Sequence, residues 1–183
     1  MSDTGDLTSL LLERSVRHGS FVLASGAHSS YYIDARLTTM SARGMALIGQ
    51  LGLRAIQDAG WQVKAVGGLT MGADPVAYAI ARATADQSTV IEAFSVRKAA
   101  KAHGTGKRIE GNFHPGDVVV VVEDVITSGA SAYEAIEAVE NEGGKVRGVL
   151  AVVDREEGGR QKLEAAGYPV VALTTVTTLG LRK

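Results

Sequence analysis

The chain has 183 residues, 45% of them hydrophobic and 21% charged, which suits a globular domain long enough to bury a core. Its formal net charge of −1 gives no overall pull toward nucleic acid or a membrane surface, so any basic site must be local. Without cysteine there are no disulfides or thiolate metal sites; no apolar run approaches the ~20 residues of a membrane span, and MSDTGDLTSLL lacks the basic stretch of a signal peptide, so a cytoplasmic protein is expected.

Asp6 to His18 reads as an amphipathic helix with Leu7, Leu10 and Leu11 inward, stopped by Gly19. FVLAS and YYIDARL alternate as two short strands around the turn Ser25-Gly26-Ala27-His28. Ser41 caps a second helix that carries Met45, Ile48 and Ile56 and ends at Gly60. AVGGL is a short buried strand, ADPVAYAIARATA a helix with Pro75 in its first turn, and STVIEAF a further strand. Arg97 to Gly111 follows neither period. Val118 to Val122 is apolar on both faces, as a central parallel strand should be. Ala132 to Glu142 is a helix with Ile136 and Val139 inward, stopped by Gly143-Gly144. VRGVLAVVD, a short helix ending near Gly167, and PVVALTTV complete the chain. Strands alternating with helices from residue 41 onward predict an α/β fold with a mostly parallel central sheet flanked by helices. With no linker or repeat, residues 1–183 form one expected domain.

The valine run enters two adjacent acids, Glu123-Asp124, and then a turn of small and hydroxylated residues before a helix. Ligands of open α/β sheets bind at the carboxyl ends of strands. Carboxylates there can accept hydrogen bonds from sugar hydroxyls or help position magnesium. Thr127, Ser128, Gly129, Ala130 and Ser131 supply successive backbone N–H groups and hydroxyls ahead of a helix N-terminus, which suits a phosphate. Neither a P-loop nor a dinucleotide-binding turn is present, so the ligand expected is a sugar phosphate such as ribose 5-phosphate. The plainer alternative is an N-capped helix after a core strand, with Asp124 as a turn former.

VRKAAKAHGTGKRIEG sets Arg97, Lys98, Lys101, His103, Lys107 and Arg108 against one acid, Glu110, with Gly104, Gly106 and Gly111 in its second half. This density of charge in a nearly neutral chain reads as a lid that closes over a polyanion, the alternative being a solvated surface loop. Tyr31-Tyr32-Ile33 can offer a flat wall and main-chain contacts, and Arg155, at the end of VLAVVD, can pair with a carboxylate in fork geometry; taken alone, the residues read as readily as a packed aromatic at a strand end and a surface Arg155–Glu156 patch.

VVVVVEDVITSGAS closely resembles the phosphoribosyl-pyrophosphate signature of the type I phosphoribosyltransferases, and its Val-Ile-Thr-Ser-Gly ending resembles the orotate phosphoribosyltransferase form. SGAHSSYYIDAR, VGGLTMGADPVA at 66–77 and VRKAAKAHG resemble further segments of that family, in the expected order. The resemblance implies the type I phosphoribosyltransferase fold, with an N-terminal helix-and-hairpin hood over residues 1–40 contributing to the base site and a mobile catalytic loop over 97–111. It implies transfer of the phosphoribosyl group from phosphoribosyl pyrophosphate to orotate, giving orotidine 5′-phosphate and pyrophosphate on the route to UMP, with Mg²⁺ as cofactor. A homodimer in which each loop serves the partner's site is implied as well.

Matched residue by residue, Arg97, Lys98, Lys101 and His103 fall on pyrophosphate-binding positions, and Glu123, Asp124, Val125, Ile126, Thr127, Ser128, Gly129, Ala130 and Ser131 on ribose-phosphate positions. Tyr32, Ile33, Thr127 and Arg155 match orotate contacts. Lys101, His103 and Asp124 are the implied catalytic residues; His103 either donates a proton to the leaving pyrophosphate or forms a plain hydrogen bond. Magnesium would arrive with the substrate and meet Glu123 or Asp124. Many members of the family carry a lysine where this chain has Ala24, and some where it has Met71. The competing readings are a purine-type phosphoribosyltransferase and a regulator of the same fold that senses phosphoribosyl pyrophosphate without turning it over.

Overall fold

The computed structural model describes residues 3–22, 28–99 and 108–182. Ala24, Lys101 and His103 lie outside them. In chain order the elements are α1 (Asp3–Arg14), β1 (Val16–Val22), β2 (His28–Ile33), α2 (Arg36–Thr39), α3 (Ala42–Asp58), β3 (Ala65–Leu69) and α4 (Ala73–Thr84). There follow β4 (Glu92–Val96), β5 (Ile109–Gly111), β6 (Val118–Ile126), α5 (Ala130–Asn141), β7 (Lys145–Asp154), α6 (Gly159–Ala165) and β8 (Val170–Thr175).

The main sheet has the order β5-β4-β3-β6-β7-β8, parallel throughout except for the antiparallel pair β4–β5. From β3 the chain steps outward to β4, then returns to place β6 on the other side of β3. That reversal opens a crevice at the carboxyl ends of β3 and β6, where ligands of such sheets sit. The valine run explains why β6 is central. Val119 and Val121 pack against Ala135, Ile136 and Val139 of α5, while Val120 and Val122 pack with Ile48, Val76 and Ile80 on the α3–α4 side. All four valines are fully buried, each worth roughly 1.5–3 kcal/mol of transfer free energy.

Four expectations change. The first helix stops at Arg14 rather than His18, because Val16 onward pairs with the second strand, Val16 opposite Ile33 and His18 opposite Tyr31. That cross-strand pairing overrides the helical period. YYIDARL is a strand only as far as Ile33. Asp34 then turns the chain: its carboxylate accepts the Arg36 N–H at 3.2 Å and its carbonyl the Leu37 N–H at 3.3 Å, starting the short α2. The loop read as 97–111 is shorter at its far end, since Ile109–Gly111 forms β5 against Val96, Ser95 and Phe94. The strand expected over STVIEAF begins only at Glu92, while Leu23 to Ser25 of FVLAS and Ser25 to Ala27 of the expected turn lie outside the described residues. Ser41 Oγ accepts the Gly44 N–H at 3.1 Å, capping α3, and Gly60 takes φ +66° just after it. The described residues of the N-terminal part join the main core through Leu7, Leu11, Ile33 and Ala35.

Candidate active site

The extended strand β6 carries the acids beyond the valines. Glu123 is buried, 6% exposed, and lines a cleft of about 90 Å³ with residues 125–132. Gly129 holds the turn at φ +82°, where a Cβ would lie 3.2 Å from the Gly159 carbonyl oxygen. The Thr127 carbonyl accepts the Gly159 N–H at 3.0 Å, so the α6 N-terminus braces the turn from behind. Behind it α5 runs for 12 residues with no acid in its first turn, leaving its positive end free for an anion. Glu123 Oε1 has no hydrogen-bond partner, and burial, reinforced by the adjacent Asp124 charge, pushes its carboxyl up to about 8.

Asp124 points to the opposite side. Its carboxylate lies against Gly72, where a Cβ would sit 2.7 Å from Oδ1, so only glycine lets the β3–α4 loop come this close. The Val125 N–H donates to Asp124 Oδ1 at 2.8 Å. Burial raises the Asp124 carboxyl, while that N–H and the nearby Arg36 guanidinium act against the rise. Met71, in the same loop, is 61% exposed. A second cleft of about 450 Å³ joins this loop to the α2 region, with Arg14, Asp34, Arg36 and Met71 among its walls.

At the end of β7, the Arg155 N–H donates to the Ile126 carbonyl at 2.9 Å, which seats Arg155 beside the β6 turn. Its side chain is 8% exposed, ion-paired to Glu157 at 2.7 Å, and lies 5.4 Å from the centre of the Tyr31 ring. Arg155 Nε is buried without a partner. Tyr32 instead leans on Phe21, with ring centres 5.8 Å apart, and is 40% exposed. The Ile33 side chain belongs to the core, leaving only its main chain for a ligand.

The basic segment springs from a hydrogen-bonded base. The Arg97 N–H donates to the Arg108 carbonyl at 2.8 Å, and the Arg108 guanidinium returns two bonds of 3.2 Å to the Arg97 carbonyl. Arg108 also pairs with Glu134 of α5 at 2.6 Å, and Glu142 accepts the Arg108 and Ile109 N–H groups at 3.0 and 3.3 Å. Arg97 meets Glu110 at 3.7 Å, while Lys98 is exposed. Tyr31 belongs to the wall expected from the sequence, whereas Arg36 and Gly72 were only members of longer matching segments and Glu157 carried no signal: these three gain their place from the fold.

No family model matches the chain. An orotate phosphoribosyltransferase of Mycobacterium avium is 45% identical over 176 residues, 96% of this chain and 96% of that protein. One from Aquifex aeolicus is 42% identical over 182 residues, 98% of each. Among solved structures, the Mycobacterium tuberculosis orotate phosphoribosyltransferase in complex with phosphoribosyl pyrophosphate superposes with a TM-score of 0.83 at 40% identity, covering 98% of this chain and all of that one. With identity at this level sustained over nearly the whole length of these relatives, the chain belongs to the orotate phosphoribosyltransferase family.

Proposed function

We infer that this protein transfers the 5-phosphoribosyl group from phosphoribosyl pyrophosphate to orotate, releasing pyrophosphate and forming orotidine 5′-phosphate, the precursor of UMP. The observation that carries the reading is the joint presence, at one strand end, of an anion-receiving turn, two carboxylates on opposite faces, and a buried arginine with an unpaired Nε. The 5-phosphate would sit in the Thr127–Ser131 turn, the ribose hydroxyls at Glu123 and Asp124, and the orotate carboxylate at Arg155. Tyr32, the Ile33 main chain and Thr127 would border the ring.

Substitution at the anomeric carbon breaks its bond to the pyrophosphate oxygen and forms one to a ring nitrogen of orotate. Positive charge builds on the sugar and negative charge on the departing oxygens. Arg97, Lys98 and Lys101 would stabilise the leaving group more in the transition state than before it, which raises the rate. His103 would bond to, or protonate, the same group. Among the described residues no three acids or histidines converge on a metal position, so Mg²⁺ would travel on the substrate diphosphate, with Glu123 or Asp124 beside it. Bound there it neutralises diphosphate charge. A homodimer with the loop acting in trans, working in the cytoplasm, completes the proposal.

The deciding experiment mixes the protein with phosphoribosyl pyrophosphate, Mg²⁺ and orotate, hypoxanthine or adenine, following ultraviolet absorbance. Turnover of orotate alone is expected. Turnover of a purine without orotate, or binding of phosphoribosyl pyrophosphate with no turnover of any base, would overturn it.

A further inference from the structure

The chain has neither lysine that the family resemblance places at positions 24 and 71, which leaves room for another fixed cation near the leaving group. The structure offers one. Arg36 opens α2 and is clamped by Asp34: Nε donates to Oδ1 at 2.8 Å and Nη2 to Oδ2 at 3.0 Å. A bidentate clamp fixes the guanidinium plane and uses only one edge of the fork. Nη1 keeps no protein partner among the described residues, and the side chain is 48% exposed. As an ion pair this exposed, the contact adds little stability of its own, so stability alone does not explain it.

Its position does. Arg36 shares the 450 Å³ cleft with Met71, in the loop whose Gly72 touches Asp124. Asp124 does not itself line the cleft, but it sits against the Gly72 that follows Met71, and the Arg36 guanidinium is near enough for the two charges to interact. Arg14 lines the same cleft, so two cations face it.

We propose that Arg36, held in plane by Asp34, is the fixed cation of the diphosphate subsite and takes over the role of the lysines absent at Ala24 and Met71. The proposal rests on the functional reading above, and deepens it by naming the diphosphate oxygens as the ligand of Nη1 and the outer face of Nη2. Asp34 is then a positioning residue, because it touches the guanidinium and not the substrate.

The test titrates magnesium pyrophosphate and phosphoribosyl pyrophosphate into wild type, Arg36→Gln, Arg36→Lys, Asp34→Asn and Arg14→Gln by calorimetry, with steady-state kinetics and melting temperatures alongside. Arg36→Gln should weaken both diphosphate ligands by about 10-fold or more, the loss of a charge-assisted contact, and leave the orotate KM unchanged. Arg36→Lys should recover part of the affinity, and Asp34→Asn should fall between wild type and Arg36→Gln. Met71→Lys, at an exposed position beside the same cleft, should partly rescue Arg36→Gln. Unchanged pyrophosphate affinity in a folded Arg36→Gln would overturn the proposal. So would an equal loss in Arg14→Gln, which would make the effect a general field, or a fall in melting temperature that tracks every binding loss. If wild type binds phosphoribosyl pyrophosphate but never consumes orotate, the functional reading fails while these affinities still decide Arg36.

Discussion

Adjacent residues on a strand face opposite ways, and Glu123 and Asp124 make use of that. Glu123 turns to the α5 side and the phosphate turn, Asp124 to the β3–α4 loop. The two acids can thus address one sugar from two directions without sharing a proton. Glu123 keeps its proton to about 8 in the native protein, against an ordinary value of 4.5 when unfolded. Its contribution to stability is therefore complete below the unfolded value and is lost as pH rises through the native one, at no more than about 1.4 kcal/mol per pH unit. In Glu123→Gln the part of the pH slope between 4.5 and about 8 should disappear, as read from urea midpoints. If ribose hydroxyls bond to the ionised carboxylate, phosphoribosyl pyrophosphate should release a proton on binding and bind more tightly as pH approaches 8. Calorimetry in buffers of different ionisation heat would show it, and proton uptake would contradict the assignment. Asp124 is tested differently. Asp124→Asn should lower kcat/KM roughly 10- to 100-fold. Gly72→Ala should do similar harm without touching substrate, because a Cβ 2.7 Å from Oδ1 must displace the carboxylate. A fully active Gly72→Ala would show that the close approach is incidental.

At the scale of elements, the candidate site is carried by β6 and its turn, whose place in the chain was legible for a physical reason. A strand buried on both faces is expected to be continuously apolar, so the first charges stand out as candidates for the ligand edge, even though Glu123 itself remains buried. The strand in fact continues through Asp124 to Ile126, since ladder pairing with Val153 and Asp154 persists where the side chains turn polar. The hairpin and α2 were harder to read. His18 and Gly19 look like a helix end until β2 is known to lie alongside, and Asp34 looks like a strand residue until its hydrogen bonds are seen. Arg36 was missed on the same account: its meaning depends on a cleft between α2 and Met71, 35 residues apart in sequence, as 71 − 36 gives. Strand β5 shows how an element can serve a loop. With Glu142 accepting two backbone N–H groups at its start, it anchors the returning end of the basic segment to α5. Glu142→Ala strands both donors and should cost ~1–3 kcal/mol, whereas Glu142→Gln retains an acceptor oxygen and should cost less. Melting temperature measures the first effect. kcat should fall with orotate KM unchanged, if anchoring matters to closure rather than to base binding.

At the scale of the whole molecule, the question is whose active site the basic segment would serve if it acts as the proposed lid. The described part of the chain leaves its base, Arg97 and Arg108, on the edge pair β4–β5. The turn proposed to receive phosphate follows β6, with β3 intervening between β6 and β4 in the sheet. An edge position is suited to reaching outward, and in a two-fold dimer whatever one protomer donates it also receives. Genetic complementation turns that symmetry into a measurement. Lys101→Ala removes a loop cation, and Asp124→Asn removes a carboxylate from the strand end. If each loop serves the partner's site, a hybrid dimer has one site lacking both native groups and one site with both intact. Mixing the two weakly active variants and allowing subunits to exchange should then raise activity toward half that of wild type per hybrid. If each loop serves its own site, every site in the hybrid lacks one group, and mixing should add nothing. Exchange must be shown independently, by native mass spectrometry of differently tagged subunits. A gain that rises with the hybrid fraction supports action in trans. No gain at full exchange places Lys101 in the site of its own chain, and a protein monomeric at working concentration removes the trans arrangement altogether.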